Sequence, residues 1–291
     1  MKNQLLINPK QEKEKIVNFL KKTFKEQKID KVVLGFSGGI DSITALYLLK
    51  EALPVKNIFA VQMDYKPRKK SDINLKGINV INVSIKKIVD EFVKESEDIR
   101  FERLGIPPKG EGSHWSEKRG IELSLSKLRL GNIMARVRMI ILFDLAKQLN
   151  AMVCGTENKS EKLLGYFTRF GDAASDIEPI SHLYKTQVYQ LAKYLKVPKE
   201  IVNQTPTAGL WDGQTDESEF GFTYEEADQV LYLTHDPTFV KTSSFVKTSE
   251  DKSVGKRGQD INIVKKNFPN AKKIIKRSLN NEFKLKTPYS L

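Results

Sequence analysis

Cysteine is nearly absent: Cys154 stands alone among 291 residues. That excludes an intramolecular disulfide and a cysteine-based zinc cluster within one chain, and it fits a reducing compartment. Histidine is scarce too, with only His114, His182 and His235. No run of about 18 apolar residues is available to span a bilayer. The opening stretch MKNQLLINPKQEKEK lacks the apolar length of a signal peptide, so a cytoplasmic protein with no membrane contact is expected. Two nucleotide signatures are also missing. There is no G-x-x-x-x-G-K-[ST] and no G-x-G-x-x-G, which excludes a Walker loop and the simple dinucleotide fingerprint.

Positive charge is plentiful. The net charge is +13, and residues 240–291 carry 13 Lys/Arg against 4 Asp/Glu. A nucleic-acid surface is one reading of such a bias. This segment lacks interleaved aromatics for base stacking, so a solvated basic face is the expected reading and nucleic acid is not an expected partner.

The length suits one α/β domain over 1–291. Apolar spacing predicts a helix over 11–28, a strand at 32–36, a helix at 42–53 stopped by Pro54, and strands at 57–63 and 79–84. A helix follows from about 85. Residues 100–120, rich in glycine and proline, predict a loop or lid, and a long helix is expected over 123–149 with Gly131 inside or breaking it. A fourth strand is expected at 151–156, then helices around 183–197 and 225–234. Residues 234–259, polar and rich in Ser, Thr and Lys, read as a flexible segment, followed by a helical tail over 260–291 interrupted at Pro269. The order predicts a parallel sheet of five or so strands flanked by helices.

The most informative stretch is VVLGFSGGIDS, 32–42. It fits the hydrolase elbow G-x-S-x-G, with Ser37 as nucleophile. That reading needs a histidine with the context of a general base, and neither His182 nor His235 has one. The alternative is a phosphate cradle. Gly38 and Gly39 let the backbone approach closely, and the amides at a helix start hold an anion. Ser37 and Ser42 can donate hydrogen bonds. Asp41 would repel bare phosphate, so its placement makes sense beside Mg²⁺. The segment GTENKSE, 155–161, repeats the plan, with a strand delivering small polar residues to a helix start. Two such ends define a crevice where open α/β sheets bind ligands.

SGGIDS resembles the pyrophosphate loop of the N-type ATP pyrophosphatases. GNIMARVRM (131–139), GTENKSEKLLGYFTRFGDAASDIEPI (155–180), KTQVYQLAKYL and TPTAGLWDGQTDESEFGFTYEEAD then resemble, in register, the ammonia-dependent NAD synthetase family. The resemblance covers about 30–291. It implies an adenine nucleotide alpha hydrolase-like, Rossmann-like fold. The implied reaction is ATP-dependent amidation of deamido-NAD by ammonia, giving NAD, AMP and pyrophosphate through an adenylate. It also implies a homodimer with the dinucleotide at the interface. ATP contacts map to Gly35, Phe36, Ser37, Gly38, Gly39, Ile40, Asp41, Ser42, Thr156, Lys185 and Thr207. Mg²⁺ ligands map to Asp41 and Glu161, and deamido-NAD contacts to Arg136, Arg169, Asp176 and Lys284. Ala173 and Ala174 stand where the family loop reads GDGG, and because alanine restricts φ > 0 a different loop shape on binding is expected. Phe283 stands at the family's histidine place and is expected to pack on the dinucleotide or cover the site. Cys154, in a predicted buried strand, is no glutaminase nucleophile, so free ammonia or a separate donor is the expected nitrogen source. Two other readings fit the loop: a tRNA-modifying pyrophosphatase and a non-catalytic nucleotide binder.

Overall fold

The computed structural model describes residues 5–66, 75–104, 126–207, 213–235, 264 and 266–285. The expected lid at 100–120 falls outside the described residues from 105 on, and the expected flexible segment lies outside them from 236. The chain runs through α1 (Pro9–Gln27), β1 (Lys31–Gly35), α2 (Ile40–Ala52), β2 (Ile58–Asp64), β3 (Asn79–Ser84) and α3 (Lys86–Leu104). It continues through α4 (Lys127–Leu149), β4 (Ala151–Cys154), α5 (Lys159–Leu164), α6 (Lys185–Tyr194) and α7 (Lys199–Val202). The last elements are α8 (Asp216–Phe220), α9 (Tyr224–His235) and α10 (Ala271–Asn281). Gly131 lies buried inside α4 and does not break it.

The sheet is parallel, in the order β3-β2-β1-β4. Where about five strands are expected, four form among the described residues, and Ile177 adds a single parallel bridge beside Cys154. The sequence dictates which side each strand residue faces. β1 is buried on both faces, so Val32 and Leu34 join one core while Val33 joins the other. The first core is completed by α1, α2 and α6, through residues such as Leu20, Leu46 and Val188. The second lies under α3 and α4, with Val89, Met134 and Val137. Such two-sided burial is why β1 reads as a near-continuous apolar run, whereas the edge strand β3 is largely exposed. A third cluster lies apart from the sheet. Leu164 of α5, Phe220, Leu231 of α9 and Ile274 of α10 form it, and it anchors the C-terminal helices to α5.

Helix ends are where the sequence's small and polar residues are used. Asn8 caps α1 by accepting from the Gln11 amide, and Ser126 caps α4 by accepting from the Arg129 amide. Asn158 caps α5 in a full capping box. Its side chain accepts from the Glu161 amide, and the Glu161 carboxylate accepts from the Asn158 amide. Gly165 ends α5 at φ 62°, and a Cβ there would stand 2.2 Å from that of Asn281. Only glycine permits both that dihedral and this close approach of α10.

The strand order places β1 and β4 side by side, while the chain leaves β1 towards β2 on one side and reaches β4 on the other. This is the topological switch point of the sheet, the place beyond the strands' carboxyl ends where open α/β sheets bind ligands. The glycine-rich turn after β1 and the GTEN turn after β4 both end there.

Candidate active site

The turn after β1 is a compact cradle. Gly38 takes φ 79° and Gly39 serves as the N-cap of α2, with no side-chain cap bond. The Ser37 hydroxyl accepts from the Gly39 amide at 3.2 Å. The Ser42 hydroxyl donates to the Gly39 carbonyl at 3.0 Å and lies 3.2 Å from Ser37 Oγ. Ser42 is buried, so its hydroxyl shapes the turn. Phe36 and Ile40 are likewise buried and can offer only backbone to a ligand. The thirteen-residue α2 therefore begins with uncapped amides and the positive end of its dipole at the sheet's carboxyl edge.

Beside the cradle sits an ionic triad. Lys185, at the first position of α6, places Nζ 2.6 Å from Asp41 Oδ2 and 3.3 Å from Glu161 Oε1. Its side chain is 4% exposed, and those of Asp41 and Glu161 are 16% and 15% exposed. Burial opposes the Lys185 charge, but the Asp41 and Glu161 carboxylates outweigh it and hold the ammonium well above the usual lysine range. Burial pushes Glu161 up; Lys185 opposes that and Asp41 adds to it. With both carboxylates ionised against one ammonium the triad carries formal charge −1, which would attract a further cation. Asn158 Nδ2 donates to Asp41 Oδ1 at 3.1 Å. The Oδ1 of the same side chain caps α5, so one amide links α2 to the Glu161 turn.

The remaining expected residues sit on the loops and helices that follow β4 and α5, on α4, and at the C-terminal end. Thr156 is half-buried between β4 and α5. Arg136 Nη2 donates to the Arg169 carbonyl at 3.2 Å, joining α4 to the loop after α5. Asp176 Oδ2 accepts from the Val153 amide at 2.7 Å and braces that loop against β4. Lys284 Nζ donates to the carbonyls of Gly165 at 2.7 Å and Phe167 at 3.1 Å. Burial, with help from Arg277, pulls Lys284 below the usual lysine range. Phe283, one residue away, is 49% exposed. Thr207 lies exposed in the loop after α7. The GDAASD loop needs no left-handed alanine. The residue at positive φ is Phe170, at 59°, while Ala173, in the turn, and Ala174, just after it, take no positive φ.

Several buried groups escaped sequence reasoning. Asn158 was recoverable from the N-x-x-E spacing of a capping box. Tyr224, whose ring lies 5.2 Å from Lys185 Nζ, carries no local signal. Asp216 accepts from the hydroxyls of Tyr166 and Tyr224, each at 3.1 Å, and lies buried. Glu157 is buried with Oε1 unpaired, and burial first, then the charges of Asp172 and Glu161, push it up to about 9. A neutral carboxylic acid therefore sits at the edge of the site at neutral pH.

The described residues contain no helix long and apolar enough to cross a membrane. The family model for NAD synthase matches residues 12–288. The NH(3)-dependent NAD(+) synthetase of Fusobacterium nucleatum is 42% identical over 230 residues, covering 79% of this chain and 82% of that protein. The NMN synthetase structure from Francisella tularensis superposes with a TM-score of 0.70 at 29% identity, covering 98% of this chain and 99% of that one. The NH3-dependent NAD synthetase structure from Campylobacter jejuni, in complex with the nitrate ion, gives 0.64 at 28% identity, covering 98% and 100%.

Glu157 generates a pH prediction. The folded chain retains a proton up to about 9, whereas an unfolded glutamate releases it near 4.5. Between those values the unfolded state binds fewer protons, so this group makes stability fall as pH rises. Glu157→Gln has no proton to lose. Its melting temperature should fall less than that of the wild type between about pH 6 and about pH 9. Identical slopes in thermal melts would remove the assignment.

Proposed function

The chain belongs to the NAD synthase family, and on that footing we propose that it amidates deamido-NAD with ammonia at the expense of ATP. The observation that carries this reading is the juxtaposition of an uncapped helix N-terminus with the Asp41–Lys185–Glu161 triad at the sheet's switch point. The nicotinate carboxylate attacks the α-phosphorus of ATP, the α–β phosphoanhydride breaks, and pyrophosphate leaves with the bonding electrons. Ammonia then attacks the activated carbonyl, AMP departs, and the nitrogen releases a proton to give the amide, NAD. Neither step needs a covalent bond to the protein, so positioning and charge stabilisation carry the rate.

The roles divide by geometry. Backbone amides from Gly38 to Ser42 receive phosphate oxygens, and Ser37 adds a hydroxyl within the same turn. Gly35 and Phe36 contribute backbone. Lys185 neutralises phosphate as a point charge. Thr156 and Thr207 complete the ATP contacts. Asp41 and Glu161 fit Mg²⁺, which takes hard oxygens, is satisfied by one or two carboxylates, and fills its sphere with water and substrate phosphates. When bound, the ion neutralises the triphosphate. Arg136, Arg169, Asp176 and Lys284 line the deamido-NAD side, and Phe283 is available to pack against the dinucleotide. A cytoplasmic setting supplies ATP and suits the free thiol of Cys154. A homodimer is part of the reading, because α4 exposes Leu128 and Ile140 beside half-buried Ile133 and Phe143. Sedimentation at micromolar concentration should give twice the 33.2 kDa chain mass; a monomer would remove that part.

The deciding assay mixes protein with ATP, Mg²⁺, ammonium and acceptor, and follows amide and pyrophosphate formation. NAD formation that requires every component is the expected result. Pyrophosphate release without NAD would overturn it. A second acceptor is favoured by the likeness to a protein described as an NMN synthetase. Nicotinate mononucleotide should therefore be run beside the dinucleotide, and a higher kcat/KM for the mononucleotide would transfer the assignment to it. Asp41→Ala and Glu161→Ala should each lower turnover by about 10²–10³, the scale for loss of one charge-stabilising group. Near wild-type turnover of either at saturating Mg²⁺ would remove its metal role.

A further inference from the structure

α6 begins in an unusual way. Its N-cap residue is Tyr184, which makes no side-chain cap bond. The hydroxyl at the far end of a phenol ring cannot fold back onto its own helix start as Ser, Thr, Asp or Asn does. The leading amides of α6 are nevertheless satisfied. The Thr186 amide donates to Asp228 Oδ2 at 2.8 Å, and the Lys185 amide donates to Ser160 Oγ at 2.8 Å. The Ser160 hydroxyl donates in turn to Asp228 Oδ1. One carboxylate, fully buried on α9, thus caps α6 both directly and through Ser160 of α5.

The two residues held this way matter for position. Ser160 immediately precedes Glu161, and the capped amides are those of Lys185 and its neighbour. Tyr224 lies one helical turn before Asp228, on the same face of α9. Its ring approaches the Lys185 ammonium to 5.2 Å, and its hydroxyl donates to Asp216. One face of α9 therefore grips Lys185 at both ends, its backbone through Asp228 and its charged tip through Tyr224. A negative charge at the start of α6 also complements the helix dipole.

We propose that Asp228 is a positioning residue, which caps α6 from α9 and so fixes the Lys185 ammonium between Asp41 and Glu161 for nucleotide binding. The proposal rests on the ATP-dependent reading above. Asp228 touches neither nucleotide nor acceptor in it, and acts through Lys185. Burial alone would favour loss of the Asp228 charge and pushes its carboxyl up to about 6, against the hydrogen bonds of Ser160 and Thr186.

The test is a double-mutant cycle on the full chain, read by calorimetric binding of α,β-methylene-ATP with Mg²⁺. Asp228→Asn keeps the shape and removes the charge, and Ser160→Ala removes only the relay to the Lys185 amide. Each should weaken binding about 5- to 10-fold, the equivalent of one lost cap. Asp228→Asn should cause no further loss in a Lys185→Met background, because the group it positions is gone. At saturating substrates, Asp228→Asn should lower kcat by about 10²-fold with KM for the acceptor unchanged, as expected for a misplaced group. Wild-type affinity in a folded Asp228→Asn variant, or the same weakening with and without Lys185, would overturn the proposal. If Asp228→Asn does not fold, Ser160→Ala decides, and wild-type affinity and turnover there would overturn it. Wild-type protein that binds the analogue yet amidates neither acceptor would sink the reaction while leaving the cycle readable.

Discussion

A buried ammonium shared by two carboxylates is the constraint around which the site is organised. Lys185 comes from α6, Asp41 from α2 and Glu161 from α5, so a single charge joins three helices remote in sequence. Burying such charges is costly unless they are paired and hydrogen-bonded. The surroundings meet that condition. Asn158 donates to Asp41, the Asn158 amide donates to Glu161, and the Tyr224 ring lies near the ammonium. The residual charge of −1 leaves the triad unsaturated toward cations, and the uncapped start of α2 leaves the cradle unsaturated toward anions. The metal-bound polyphosphate of the proposed reaction would satisfy both at once, which neither an anion nor a cation alone would do.

The support beneath this site lies in the third apolar cluster rather than in the sheet. α5 is only six residues long, too short to hold Glu161 by its own stability. It is fixed at one end by its capping box. At the other end Gly165 allows α10 to approach closely, and Leu164 is buried among Phe220, Leu231 and Ile274. Arg277 of α10 donates to the Leu164 carbonyl at 3.2 Å, and Lys284 donates to the next carbonyl, that of Gly165. The C-terminal segment thus closes the end of the helix that carries a site carboxylate, so its basic residues have a structural use beyond surface charge.

Much of the architecture was legible in the chain. The strands after Ile29 and Asn57 announce themselves by apolar runs, and the glycine-rich turn at 37–39 marks where backbone must approach a ligand. The N-x-x-E spacing at 158–161 signals a helix start. Other features were not legible for physical reasons. That positive φ in this loop falls on Phe170, and on neither Ala173 nor Ala174, is one of them. Ser42 looks like a phosphate donor in sequence, yet its hydroxyl is engaged by Gly39 and Ser37. Spacing cannot report whether a hydroxyl faces a ligand or its own turn.

By itself, the sequence determined the local elements, the switch from β1 and β4 into polar turns, and the chemistry available there. These depend on dihedral freedom, apolar period and residue type over a few neighbours. Tertiary structure alone decided which charges meet. Asp41 and Lys185 are 144 residues apart and Ser160 and Asp228 are 68 apart, and nothing local encodes either pairing. The reason is that a buried ion pair or a cap borrowed from another helix is specified by the packing of apolar faces elsewhere. Leu164, Phe220 and Ile274 exclude water and bring the polar partners to bonding distance.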